Sequence, residues 1–161
     1  IIGSAEDIQW LLDAVPNKHN GLTFCAGSFS AGEHNDCVAM AKQFADRTHF
    51  VHLRSCYIFP NGNFTEASHL GGRGHLIELC RIFEKAEQEG KCNSGRRLPM
   101  RVDHGMTFTD EPGGVFDESN HGHNAGYTLL GRMFAMGQIQ GVIATVDDEL
   151  GIEYKQSGFY D

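Results

Sequence analysis

Three segments of the chain end in the same way: a short apolar run delivers a residue able to ligate a metal, then breaks into a glycine or polar turn. They are Leu22-Thr-Phe-Cys25-Ala-Gly-Ser28, His49-Phe-Val-His52-Leu-Arg54 and Leu98-Pro-Met-Arg-Val-Asp103-His104-Gly105. No other feature constrains the fold as much. The strands of a parallel α/β barrel all point one way, so the residues at their C-terminal ends converge on one mouth. Cys25, His52 and Asp103 would meet there as a mixed thiolate, imidazole and carboxylate set. That set suits a divalent transition metal such as manganese, iron or zinc better than magnesium or calcium, which prefer all-oxygen shells. Each residue also has a plainer reading. A cysteine that ends a strand is often a small buried hydrophobe, and a single histidine carries no more information. The Asp103-His104 pair resists that reading, because adjacent titratable groups at the end of an apolar run are costly to bury unless paired or ligated.

With 161 residues, 40% hydrophobic and 21% charged, the chain has the composition and length of one globular core. A formal net charge of -8 argues against a nucleic-acid footprint, and Arg96-Arg97 is the only adjacent basic pair, so no nucleic-acid partner is expected. No apolar run approaches the roughly 20 residues needed to cross a bilayer. No charged n-region followed by an apolar h-region opens the chain either, so no membrane partner and a cytoplasmic location are expected. The five cysteines, at 25, 37, 56, 80 and 92, form no CxxC pair, and an odd count argues against a disulfide framework. Cys37 and Cys80 fall in amphipathic stretches where burial is the default, and Cys92 lies in a polar turn. The chain opens with Ile1-Ile2 and no methionine, and it is expected to be a fragment.

Ser4-Ala-Glu-Asp7 has the spacing of a capping box, and Ile8, Leu11, Leu12 and Val15 recur at helical spacing until Pro16. Residues 21–25 read as a strand leading into a glycine and serine loop, after which Asn35 can cap a helix carrying Val38, Met40, Ala41 and Phe44. A second strand is expected over 48–54, then a long turn containing Pro60-Asn-Gly62, and a helix from about Gly74 to Gly90 with Leu76, Leu79, Cys80 and Phe83 inward. The third strand covers 97–103. The stretch 106–124, with His121-Gly-His123, has no sustained period and reads as a long loop of the kind that forms functional lids or is disordered. Helical spacing resumes at Ala125 through Leu129, Leu130, Met133, Phe134 and Met136 to about Val146, an apolar face expected in the core. Crossovers of this length fit parallel pairing. Three strands cannot close an eight-stranded barrel, so 1–161 is expected to be a single partial domain, the last part of one.

Leu11-Leu-Asp-Ala-Val-Pro16, Asn20-Gly-Leu-Thr-Phe-Cys25-Ala-Gly-Ser28, His49-Phe-Val-His52-Leu-Arg54 and Met100-Arg-Val-Asp103-His104-Gly105 together resemble the mannonate dehydratase family. Asn35-Asp36, Glu66-Ala-Ser-His69-Leu70 and Gly126-Tyr-Thr-Leu-Leu-Gly-Arg132 extend the resemblance to about Gly141. It implies a (β/α)8 TIM barrel of the xylose isomerase-like type, of which this chain is the C-terminal part. The implied enzyme is a hydro-lyase of hexuronate and glucuronate catabolism that converts D-mannonate to 2-keto-3-deoxy-D-gluconate, as a homo-oligomer in the full-length protein. By the same resemblance Cys25, His52 and Asp103 bind Mn2+ or Fe2+, with a further histidine ligand on a strand preceding Ile1. His104 and Tyr127 carry the proton transfers, in an order the resemblance leaves open, and Arg54 binds substrate. Where the family has Pro and His, this chain has Val102 and Met106, and its Gly-Asp-Val-Asp segment appears here as Gly72-Arg-Gly-His75. His121 or His123 either replaces that loop histidine or is an exposed polar residue. The residues also admit a metal-dependent sugar isomerase or epimerase on the same fold, or a non-catalytic fragment.

Overall fold

Ser4 starts the first helix as its spacing predicts. Its hydroxyl accepts from the Asp7 N–H at 3.2 Å, and the Asp7 carboxylate accepts from the Ser4 N–H at 3.1 Å, closing a capping box on α1 (Ala5–Ala14). The computed structural model describes residues 2–92, 97–108 and 127–153. His121, His123, Gly126, Arg96 and most of the loop expected over 106–124 lie outside the described residues. α1 buries Ile8 and Leu12, and the chain then enters β1 (Leu22–Cys25), the first strand of a parallel sheet.

That sheet also holds β2 (Thr48–His52) and β5 (Met100–Arg101), in the order β1-β2-β5, with both pairings parallel. Between β1 and β2 run a short helix α2 (Ala26–Ser30), α3 (Cys37–Phe44) and a 3-10 turn (Ala45–Arg47). Between β2 and β5 run β3 (Cys56–Ile58), β4 (Phe64–Glu66) and α4 (Leu76–Gln88), and α5 (Leu129–Leu150) follows β5. The architecture is therefore α/β with a parallel sheet, as expected.

Strand side chains alternate between faces. Phe24 and Val51 point into a core shared with Ile8, Leu12, Met40, Phe44, Leu79, Phe83 and Ile139 of the helices. Phe24 sets its ring edge-on to Phe29 and Phe83, with centroids 5.0 and 5.3 Å away. The other face of the sheet, carrying Thr23, Cys25, Phe50 and His52, is half-buried or exposed. Helices thus cover one face of the sheet and leave the candidate ligands on the other.

Several expectations are corrected. Asp36, not Asn35, caps α3, its Oδ1 accepting from the Val38 and Ala39 N–H groups; Asn35 instead donates to the Gly3 and Phe29 carbonyls. The glycine and serine loop after Cys25 is the short helix α2. The long turn around Pro60-Asn-Gly62 is an antiparallel hairpin, β3 with β4, closed by Phe59 N–H to Asn63 O at 2.7 Å. The third strand is shorter than 97–103, because Pro99 has no N–H to donate and Asp103 turns left-handed, φ 48°.

The apolar face assigned to the core in the last helix is also corrected. α5 packs on α4 and buries Gly131, Ala135, Ile139 and Val146, whereas Leu129, Leu130, Met133, Phe134 and Met136 are exposed, Leu129 by 72%. The small Gly131 and Ala135 lie on the buried side of its first turns, and the larger apolar residues of those turns face outward. By length and composition alone, α5 is long and apolar enough to cross a bilayer, contrary to the expectation that no such run exists. Its buried Ala135, Ile139 and Val146 belong to the same core as the sheet.

Candidate active site

Parallel register places the candidate ligands side by side. Cys25 and His52 are the last residues of adjacent strands and lie opposite each other, His52 lies opposite Arg101, and Asp103 follows two residues later. One ligand atom from each of Cys25, His52 and Asp103 lies within 4.8 Å of the others. Burial holds the His52 imidazole below its usual pKa, with the nearby Asp103 carboxylate partly opposing, so the ring is neutral at pH 7, the form that ligates metals. The Ser28 hydroxyl, one turn into α2, donates to Cys25 Sγ at 3.1 Å. Cys37 and Cys80 are different: burial pushes both thiols up to about 12, which keeps them protonated and inert.

The two oxygens of the buried Asp103 carboxylate have separate surroundings. Oδ1 accepts from Arg101 Nη2 at 2.9 Å and from the Tyr127 hydroxyl at 3.3 Å. Oδ2 faces His52 Nδ1 at 3.7 Å and His104 Nε2 at 3.8 Å. His104 and Tyr127 pack ring to ring, with centroids 4.2 Å apart and planes tilted by 55°, and the Arg132 guanidinium stands 5.7 Å from the Tyr127 ring centre. The structure therefore gathers Cys25, His52, Asp103, His104 and Tyr127 at one edge of the sheet.

Backbone contact explains how His104 and Tyr127 meet from distant segments. A Cβ on Gly105 would strike the Gly131 carbonyl, and a Cβ on Gly131 would strike the Met106 carbonyl. Two glycines thus let the segment after His104 lie directly against the first turn of α5, which follows Tyr127. Arg54 lies just beyond β2 and spreads its side chain over Gly27, where a Cβ would collide with it. Its Nε and Nη2 both donate to the Glu66 carboxylate, Nε at 3.0 and 3.1 Å. That pairing holds the guanidinium firmly charged and fixes its plane.

A family model described as D-mannonate dehydratase (UxuA) matches residues 1–153. The chain belongs to this family. It is 37% identical over 152 residues to mannonate dehydratase 2 of Agrobacterium fabrum and 38% identical over 149 residues to the mannonate dehydratase of Saccharophagus degradans. These alignments cover 93% and 91% of the chain, and the chain spans 36% of the length of each relative. The crystal structure of mannonate dehydratase from Streptococcus suis shares the fold, with a TM-score of 0.74 at 21% identity, over all of this chain and 43% of that one.

Sequence reasoning picked out Cys25, His52 and Asp103 by their strand-end positions, and it reached His104, Tyr127 and Arg54 through the family resemblance. It gave no role to Arg101, Ser28 or Glu66. Arg101 had a usable signal, since alternation puts it on the same side as Asp103 two residues on. Glu66 had none, because it meets Arg54 only through the unforeseen hairpin.

Proposed function

We propose that this edge of the sheet is part of the active site of a metal-dependent hydro-lyase that converts D-mannonate to 2-keto-3-deoxy-D-gluconate and water. Membership of the D-mannonate dehydratase family supports the reaction. The fold supports a place as the C-terminal part of a (β/α)8 barrel, since among the described residues helices cover one face of the parallel sheet and leave the other for a barrel interior. The observation that carries the metal reading is the convergence of sulfur, imidazole and carboxylate donors within 4.8 Å. The Cys25 sulfur, the neutral His52 imidazole and the buried Asp103 carboxylate would hold Mn2+ or Fe2+. When bound, such an ion supplies Lewis-acid stabilisation of the negative charge that develops on the substrate's carboxylate and C2 oxygens.

The chain's own residues do the rest. Dehydration takes the weakly acidic proton from C2 and expels the C3 hydroxyl as water, and the resulting enol tautomerises to the ketone. One group must accept a proton and another must deliver one. His104 and Tyr127, 4.2 Å apart at the ring centres, are the pair that divides this work. Asp103 orients both, accepting from the Tyr127 hydroxyl through Oδ1 and facing His104 through Oδ2. Arg54, held by Glu66, presents a fixed positive charge to the anionic sugar acid.

The test is formation of 2-keto-3-deoxygluconate from D-mannonate by the intact protein with and without Mn2+, beside its His104→Ala and Tyr127→Phe variants. Metal-dependent product is expected, with kcat lowered about 100-fold or more in each variant. Interconversion of ketoses without any keto-deoxy acid would instead assign the site to isomerisation.

A further inference from the structure

We propose that His69 is a positioning residue of this site: it fixes the backbone turn that presents Asp103 and His104. This rests on the reading of Asp103 and His104 given above. His69 is 2% exposed, the largest buried polar side chain outside the ligand set among the described residues, and it lies 33 residues before its partner. Its Nε2 is 2.9 Å from the Val102 carbonyl oxygen. A carbonyl only accepts, so Nε2 carries the proton and donates it.

That carbonyl sits at a critical point. The Arg101 carbonyl still takes part in the sheet, accepting from the Leu53 N–H at 2.7 Å. One residue on, the Val102 carbonyl accepts from His69, and Asp103 then turns left-handed at φ 48°. A non-glycine residue in that conformation is strained and persists only where its surroundings hold it. The turn is what lets consecutive residues face the same mouth, where an extended strand would send them to opposite sides.

His69 is itself held by its neighbours. Glu66 grips Arg54, the Ala67 N–H donates to the Ser55 carbonyl at 3.0 Å, and Gln138 of α5 donates to the Ser68 hydroxyl at 3.2 Å. The short segment 66–69 therefore ties the exit of β2 to α5 through its backbone and near side chains. Through His69 it also ties both to the exit of β5. Strand ends that carry separate ligands are kept in register by one brace.

The test compares His69→Leu, which removes the donor at similar volume, with His69→Gln, whose terminal amide can reach the same carbonyl. Amide hydrogen exchange is followed peptide by peptide in the intact protein, beside kcat and KM for D-mannonate. In His69→Leu, exchange over 102–106 is expected to rise about tenfold or more while that of β1 stays at the wild-type rate. kcat is expected to fall about tenfold or more with KM changed by less than about threefold, and His69→Gln is expected to restore both readouts. Unchanged exchange over 102–106 in His69→Leu would overturn the proposal, as would faster exchange spread evenly over the chain or a failure of Gln to restore. If the wild-type protein did not turn over D-mannonate, the dehydratase reading would fail, and exchange alone would still decide the role of His69.

Discussion

Asp103 concentrates the chemistry of this chain in one side chain, because its backbone and its carboxylate perform separable tasks. The left-handed backbone, φ 48°, aims the carboxylate, and the carboxylate meets Arg101, Tyr127, His52 and His104. Asparagine tolerates the left-handed region nearly as well as aspartate but offers no charge, whereas alanine does not tolerate it. Asp103→Asn is therefore expected to melt close to wild type while binding Mn2+ about 10- to 100-fold more weakly. Asp103→Ala is expected to lose the same affinity and, in addition, about 1 kcal/mol of stability. Thermal melts paired with metal titrations check this; equal melting of the two variants would show that the turn carries no strain.

At the scale of elements, the contact of the segment after β5 with the first turn of α5 sets the distance between His104 and Tyr127. Gly131→Ala would drive a methyl into the Met106 carbonyl, so a loss of about 1–3 kcal/mol is expected from denaturant unfolding, with kcat falling as the rings separate. The α4 and α5 interface adds a pH dependence. Burial, with Asp147 and Glu87 adding like charge and Arg97 opposing, pushes the Glu84 carboxyl from its ordinary 4.5 up to about 7. The folded protein thus holds a proton that the unfolded chain has lost between those values, and stability falls as pH rises through the window. Asp147, also raised by burial, adds to the slope. Glu84 is only partly buried, so its share is on the order of 1 kcal/mol between pH 5 and 8. Glu84→Gln is expected to flatten the curve by that amount in unfolding experiments across the range. The elements themselves were legible where local chemistry decides them: the Ser4 capping box, the period of Leu76, Leu79, Cys80 and Phe83, and the apolar runs ending at Cys25 and His52. The β3 and β4 hairpin was not, because its strands are three residues each and lack a sustained alternation. The orientation of α5 was not legible either, since burying the face that carries Gly131, Ala135, Ile139 and Val146 is a tertiary choice that periodicity alone does not make.

Over the whole molecule, the sheet does two jobs with its two faces. Phe24 and Val51 anchor it to the helices, and the alternating residues Cys25 and His52 stand free of that core at the edge where Asp103 arrives. The site was legible to the extent that strand-end position reveals it, and Glu66 and His69 escaped because their partners are 12 and 33 residues away. The central claim is that ligands from separate strand ends share one ion. The most direct test is the optical spectrum of the intact protein loaded with Co2+, beside its Cys25→Ser variant. A thiolate-to-cobalt charge-transfer band that appears at one equivalent and vanishes in Cys25→Ser is the predicted result; a band retained in the variant, or no band in the wild type despite bound cobalt, would contradict the account.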